Sequence, residues 1–169
     1  RVTDVISHLQ DLLSQKKVGD PMDAATDIGP LVSARQRDLL MEQVQDALDK
    51  GATILCGGTV PSTSTGLNGA YYTPTLISGV TPDMRIWHEE VFGPVLPIVT
   101  FATYDDAIAK ANDTIYGLGA SIYTEDKNLV KRAIGDLQAG MVRVNQTTTS
   151  KPSNIFGGMK RSGIGRENH

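Results

Sequence analysis

Few side chains in this sequence are equipped for covalent or acid–base chemistry, and their surroundings narrow the field further. Cys56 is the only thiol. It closes the apolar stretch Thr53-Ile54-Leu55 with no histidine close by in sequence, whereas a nucleophilic thiolate needs an activating neighbour. It reads as a structural strand residue. A lone cysteine also excludes an internal disulfide and any cysteine-pair metal ligation, so no metal site is expected. His8 lies among polar residues and His169 ends the chain, and neither suggests a general base. His88 directly precedes the carboxylate pair Glu89-Glu90 and is read as a surface histidine near whatever that pair serves. Gly157, Gly158, Gly163 and Gly165 crowd the end of the chain, interleaved with Lys160, Arg161 and Arg166. A basic glycine-rich loop can cradle phosphate, but this spacing is neither of the two common nucleotide-loop patterns. A structural turn is the favoured reading.

The elements that must hold these residues are legible from periodicity. Val2, Val5, Ile6, Leu9, Leu12 and Leu13 recur at helical spacing, which predicts a helix with one buried face, ended by Gly19-Asp20-Pro21. A second helix starts behind Ser33 and buries Leu39, Leu40, Val44, Ala47 and Leu48, with Gly51 as its C-terminal cap. A strand follows through Thr53–Cys56. The Gly-, Ser-, Thr- and Pro-rich stretch 57–69 reads as a surface loop, and Tyr71 to Ile77 as extended chain. Val95 to Phe101 is strand-like. A helix from Tyr104 to about Ala111 opens on a Thr103/Asp106 capping box, and then come a strand at Ala120 to Tyr123, a helix at Asp126 to Leu137 and a strand at Met141 to Val144. Strands alternating with short helices predict an α/β fold with a mainly parallel twisted sheet and flanking helices.

With 40% hydrophobic residues the chain has the apolar content for a single compact domain over 1–169. No apolar run approaches the roughly 18 residues of a membrane span. A formal charge of −3 provides no field for nucleic acid or an anionic membrane surface. No signal peptide is evident, and a cytoplasmic location is the expectation. Arg1 in place of a start methionine, with the helical pattern running by Val2, leads to the expectation that the chain begins inside a longer protein.

Three segments carry a resemblance: His88-Glu89-Glu90-Val91-Phe92-Gly93-Pro94, Asn112-Asp113-Thr114-Ile115-Tyr116-Gly117-Leu118-Gly119-Ala120, and Phe156-Gly157-Gly158-Met159-Lys160-Arg161-Ser162-Gly163-Ile164-Gly165-Arg166-Glu167. Their order and separation resemble the aldehyde dehydrogenase superfamily. Val18-Gly19-Asp20-Pro21, Ile28-Gly29-Pro30, Gly51-Ala52 leading to Gly57-Gly58, and Tyr72-Thr73-Pro74-Thr75-Leu76 are similar to that family at matching places, so the likeness runs from end to end.

The resemblance implies NAD- or NADP-dependent oxidation of a small-molecule aldehyde to a carboxylic acid, by way of a cysteine thiohemiacetal and thioester. It implies that the nucleophile segment, the general base and an N-terminal cofactor-binding domain precede Arg1, and that a C-terminal oligomerisation strand follows His169. The chain alone is then expected to be inactive, and the parent to be a homodimer or homotetramer. Glu90 matches the glutamate that accepts hydrogen bonds from the ribose beside nicotinamide, and Phe92 the aromatic residue packed at that end of the cofactor. A solvated surface charge and an ordinary core aromatic are the plain alternatives. Glu89 is expected to be a surface or helix-start residue. Gly93 and Pro94 fix the turn that aims Glu90. Phe156 matches an aromatic at the aldehyde entrance, although Ile155 stands where the family usually has proline. Gln146 and Thr147 open a variable wall of the pocket that continues through Thr148, Thr149 and on to Asn154. Asn145, Gly157 and Gly158 are read as structural support. The alternative function is a naturally short, non-catalytic nucleotide- or partner-binding module of the same fold.

Overall fold

A computed structural model of the chain describes residues 2–61, 69–147 and 154–168. The chain divides into two compact units, Arg1–Thr100 and Phe101–His169. Helices alternate with short strands in both, as an α/β fold requires.

In the first unit, α1 (Val2–Ser14) and α2 (Ala34–Asp49) precede β1 (Thr53–Cys56) and β2 (Thr75–Ser78), and the short α3 (Arg85–His88) leads to β3 (Val95–Ile98). The strands form one sheet in the order β1-β2-β3. β2 and β3 run parallel, with Thr75 opposite Val95 and Ser78 opposite Ile98. β1 is antiparallel to β2. A bulge between Ile54 and Cys56 interrupts that ladder, and Gln10 of α1 donates to the Leu55 carbonyl at 2.9 Å.

Ser33 caps α2 by accepting the Gln36 N–H at 3.2 Å, satisfying one of the donors a helix start leaves open. At the other end Lys50 is the cap residue and Gly51 follows with φ +99°, a conformation open to glycine at little cost. Leu40, Val44 and Ala47 of α2 pack with Tyr72, Ile77, Met84, Ile86 and Val95 into the unit's core. Burying each large aliphatic side chain there is worth roughly 1.5–3 kcal/mol.

The second unit holds α4 (Tyr104–Asn112), β4 (Gly119–Ile122), α5 (Lys127–Asp136), β5 (Met141–Val144), the two-residue strands β6 (Phe156–Gly157) and β7 (Arg166–Glu167), and a 3-10 turn at Lys160–Ser162. β4 and β5 pair in parallel around α5. The Thr103 hydroxyl accepts the Asp106 N–H at 3.2 Å. The Asp106 carboxylate reaches back to the Ala102 N–H at 2.9 Å, one residue beyond the usual capping-box partner. Asp126 caps α5 by accepting the N–H groups of Asn128 and Leu129.

Four expectations need correction. The first helix forms but stops at Ser14 and buries none of its residues; Ile6, Leu9 and Leu13 are half-covered, while Val2, Val5 and Leu12 face solvent. Leu39 is 37% exposed, and the neighbouring position on the buried stripe belongs to Gln43, which is 1% exposed. Of the extended stretch 71–77, only Thr75 onward pairs as a strand, since Pro74 has no N–H to offer a ladder. β3 stops at Ile98 rather than Phe101 because its partner ends at Ser78, and Gly79 turns away with φ +74°.

An ionic network joins α2 to α3. Asp46 accepts the Arg85 N–H at 2.8 Å and pairs with Lys50 at 2.7 Å, and the Arg85 guanidinium donates to Glu89 at 2.9 and 3.1 Å. The Lys50 hydrogen bond, with help from the Arg85 N–H, holds the Asp46 carboxyl below its ordinary range, and Arg85 does the same for Glu89. A carboxylate whose folded pKa is depressed contributes stability above its unfolded value and loses it as pH falls through the folded one. The melting temperature is therefore expected to stay level from neutral pH down to about 5 and to drop below about pH 4, where free carboxylates begin to protonate. Asp46→Asn should flatten that drop, and a melting temperature that rises on acidification below that point would contradict the network's role.

Candidate cofactor and substrate site

The carboxylate pair sits where α3 gives way to extended chain. Glu89 caps the C-terminus of α3, its N–H donating to the Arg85 carbonyl at 2.9 Å. It is exposed, as a surface residue is expected to be, but it ends a helix and does not start one, and its carboxylate is held from two sides, by Arg85 and by the Gln43 amide at 3.0 Å. Glu90 differs sharply. Its side chain is exposed, and its carboxylate accepts no hydrogen bond and forms no ion pair among the described residues. Two adjacent glutamates thus have opposite states: one is committed to the scaffold and the other is an acceptor with its lone pairs open to two donors.

The backbone around Glu90 is fixed. Gln43 Nε2 donates to the Glu90 carbonyl at 3.2 Å and Gln36 Nε2 to the Phe92 carbonyl at 3.1 Å. A Cβ on Gly93 would stand 2.7 Å from a methyl of Leu40 and 3.3 Å from one of Leu31, so glycine lets this segment lie directly on α2. The Pro94 carbonyl accepts the Thr75 N–H at 2.8 Å and feeds the chain into β3. Phe92 is 62% exposed, which removes the core-aromatic alternative for it. An unburied phenyl group beside an open carboxylate has hydrophobic surface available to a ligand. His88 is exposed, with Nε2 2.7 Å from the Pro82 carbonyl.

In the second unit the glycine-rich end closes on itself. Met159 and Gly140 both donate to the Gly117 carbonyl, at 2.8 and 3.0 Å. The Lys160 ammonium donates to the carbonyls of Asn112, the last residue of α4, and Thr114, at 2.7 and 3.0 Å. Of the three cations in this stretch, Lys160 is thereby occupied by backbone carbonyls. Gly157 and Gly158 are buried, and a Cβ on Gly158 would meet the Ser162 carbonyl oxygen at 2.4 Å. Phe156 is half-buried in β6, opposite Glu167, next to exposed Ile155. Asn145, with φ +53°, accepts the Thr124 N–H at 2.9 Å and donates to the Thr124 carbonyl at 3.0 Å, fastening the end of β5 to the chain leaving β4. Gln146 and Thr147 follow it in exposed positions. Thr148 and Thr149 lie outside the described residues.

Cys56 borders a cavity of about 680 Å³ lined also by Leu13, Lys16, Lys17 and Pro74. No histidine lines that cavity. Both lysines are bound to carboxylates, Lys16 to Asp27 at 3.1 Å and Lys17 to Asp23 at 2.8 Å. The thiol thus has space beside it and, among the described residues that line the cavity, no free base or cation to activate it. No group of three potential metal ligands comes together among the described residues.

The sequence reading missed Gln43 and Arg85. A signal for Gln43 was present: it stands three residues after Leu40 and four before Ala47, a polar side chain inside an apolar helical stripe. Arg85 also had a local signal, its i,i+4 spacing to Glu89, whereas its second partner, Glu42, comes from α2.

Residues 1–169 match the family model described as the aldehyde dehydrogenase family. The NADP(+) succinate-semialdehyde dehydrogenase of Deinococcus radiodurans is 43% identical over 97% of the chain and 34% of its own length. The betaine aldehyde dehydrogenase of Brucella anthropi is 40% identical over 96% of the chain, again 34% of its own length. A solved structure of betaine aldehyde dehydrogenase from Staphylococcus aureus in complex with NAD+ superposes with a TM-score of 0.89 at 37% identity, over 95% of this chain and 32% of that one. The chain spans about a third of the length of the curated relatives it matches.

Proposed function

The chain belongs to the aldehyde dehydrogenase family, and we propose that it supplies the nicotinamide-ribose end of the cofactor site and part of the aldehyde pocket in an NAD- or NADP-dependent oxidoreductase. The reaction is oxidation of an aldehyde to a carboxylic acid through a cysteine thiohemiacetal and thioester. One observation carries the reading: Glu90 keeps an open carboxylate and Phe92 an exposed ring, on backbone anchored by Gln43, Gln36 and Leu40. Relatives with NADP(+) in the name or NAD+ in the solved complex support it.

The residues present fit a dinucleotide. An ionised carboxylate is acceptor-only and suits the two hydroxyl donors of a ribose, and Phe92 offers its ring to the same end of the ligand. When bound, the cofactor supplies the hydride acceptor. Glu90 holds it through charge-assisted hydrogen bonds, and the fixed backbone keeps that carboxylate from following a shifting ligand. Phe156, with Gln146 and Thr147, lines the aldehyde side; an aromatic wall binds the substrate's body and excludes water. Gly93, Pro94, Asn145, Gly157 and Gly158 hold the backbone that presents these groups. The 169 residues act as part of one catalytic domain in a cytoplasmic homodimer or homotetramer.

Cys56 is not the nucleophile in this reading. The thiolate comes from outside these residues, and the chain alone is inactive. NADH or NADPH formation with a panel of aldehydes, at high protein concentration, is expected to be absent for the isolated chain and present for a complete enzyme, with Cys56→Ser leaving the latter unchanged. Turnover by the isolated chain that Cys56→Ser abolishes would overturn both the reading and the site assignment.

A further inference from the structure

Gln43 is an anomaly in the core of the first unit. Its side chain is 1% exposed, on the stripe of α2 that also buries Leu40, Val44 and Ala47. Its Nε2 spends its donors on Glu89 Oε2 at 3.0 Å and the Glu90 carbonyl at 3.2 Å, while its Oε1 is buried with no partner. Cores rarely keep an amide with an orphaned acceptor. An apolar residue of the same size would avoid that cost, so what the donor end does must account for the amide.

What it does is hold a peptide plane. The Glu90 carbonyl belongs to the peptide group linking Glu90 to Val91, and fixing that plane restricts the directions in which the Glu90 side chain can leave the backbone. Leu40, one turn earlier on the same face, stops the segment at Gly93 by direct contact. The strip between is tethered at one end by an amide and seated at the other on a methyl group. The same Gln43 amide also engages Glu89, so one side chain distinguishes the two glutamates: it helps hold the first carboxylate and leaves the second free.

We infer that Gln43 is the positioning residue for Glu90, acting through the backbone carbonyl and not through the ligand. This rests on the cofactor role proposed for Glu90. A carboxylate that serves two hydroxyls must be aimed within roughly 0.5 Å and 10–20°, and a peptide plane free to rotate would lose that aim without any loss of fold.

The test uses Gln43→Met, which keeps the volume but removes both donors and the orphaned acceptor, and Gln43→Glu, which sets a carboxylate against Glu89. Amide hydrogen exchange on the chain itself should quicken for residues 89–93 in both variants, with the core amides of α2 unchanged in Gln43→Met. In a complete enzyme, Gln43→Met should lower kcat about five- to tenfold, the range expected for losing one hydrogen bond that acts on the transition state. KM for the aldehyde should stay put, the isotope effect with deuterated aldehyde should grow, and Gln43→Glu should be worse on each count. A merely structural glutamine would instead cost melting temperature and leave the isotope effect alone. Full kcat and unchanged exchange at 89–93 in Gln43→Met, alongside a defective Glu90→Gln enzyme, would overturn the positioning role while sparing the cofactor reading. A silent Glu90→Gln would overturn both.

Discussion

In a complete enzyme carrying Glu90→Gln, kcat is expected to fall about ten- to a hundredfold, from the loss of a charge-assisted hydrogen bond worth roughly 1.5–3 kcal/mol. The substitution keeps the side chain's shape and replaces one acceptor oxygen with a donor. One of two ribose hydroxyls then faces a group that cannot accept from it, and the bond that remains loses its charge. Hydride transfer tolerates little misplacement of the reacting carbons, so that step suffers most. The isotope effect with deuterated aldehyde should rise, and acylation of the catalytic cysteine should proceed almost normally. Glu125→Gln, which alters another exposed glutamate, is the matched control and should behave as wild type. Glu89→Gln is no such control, because Glu89 anchors Arg85 and Gln43; its expected signature is lost stability. Unchanged kcat and isotope effect in Glu90→Gln would return this residue to the status of a surface charge.

Gly140→Ala is expected to be the most damaging single change in the second unit. A Cβ there would stand 2.0 Å from the Gly157 carbonyl oxygen, 2.8 Å from its carbon and 2.9 Å from Gly158 Cα. All three are backbone atoms, so no side chain can turn aside. Relief requires parting the chain entering β5 from the glycine-rich end, and with it the Gly140 N–H bond to Gly117. A loss of more than about 3 kcal/mol, or failure of this unit to fold, is the expected outcome. Gly135→Ala gives the contrast. It lies inside α5 with nothing within 4 Å of its would-be Cβ, and alanine there should stabilise by about 0.5–1 kcal/mol. Urea unfolding of the two variants measures the difference. A Gly140→Ala chain as stable as wild type would show that the packing of Gly140 on Gly157 is not needed for the fold.

Most helices and strands were legible because their signals are local. Ser33, Thr103 and Asp126 mark helix starts by side chains that accept nearby N–H groups, and all three do so. Strand lengths were overestimated where the limit is set by a partner: nothing within 95–101 announces that β2 ends at Ser78. The exposure of α1's apolar residues was illegible for a related reason. Periodicity tells which face of a helix is apolar, not what covers it. At the site, Glu90 and Phe92 were identified through resemblance and not through any chemistry of their own. The backbone that presents them is held by Gln43, Gln36 and Leu40, which come from α2. Gln43 itself was readable as a polar residue on an apolar stripe. The purpose of its amide became clear only once the Glu90 carbonyl was seen against it.

The most direct test of the central claim is a crystal structure of a complete enzyme containing this chain, with NAD+ or NADP+ bound. The Glu90 carboxylate is expected to lie within hydrogen-bonding distance of both hydroxyls of the nicotinamide ribose, with the Phe92 ring packed against that end of the cofactor and the Glu90 carbonyl still on Gln43. A bound cofactor whose ribose is held by other residues, with Glu90 turned to solvent, would contradict the account.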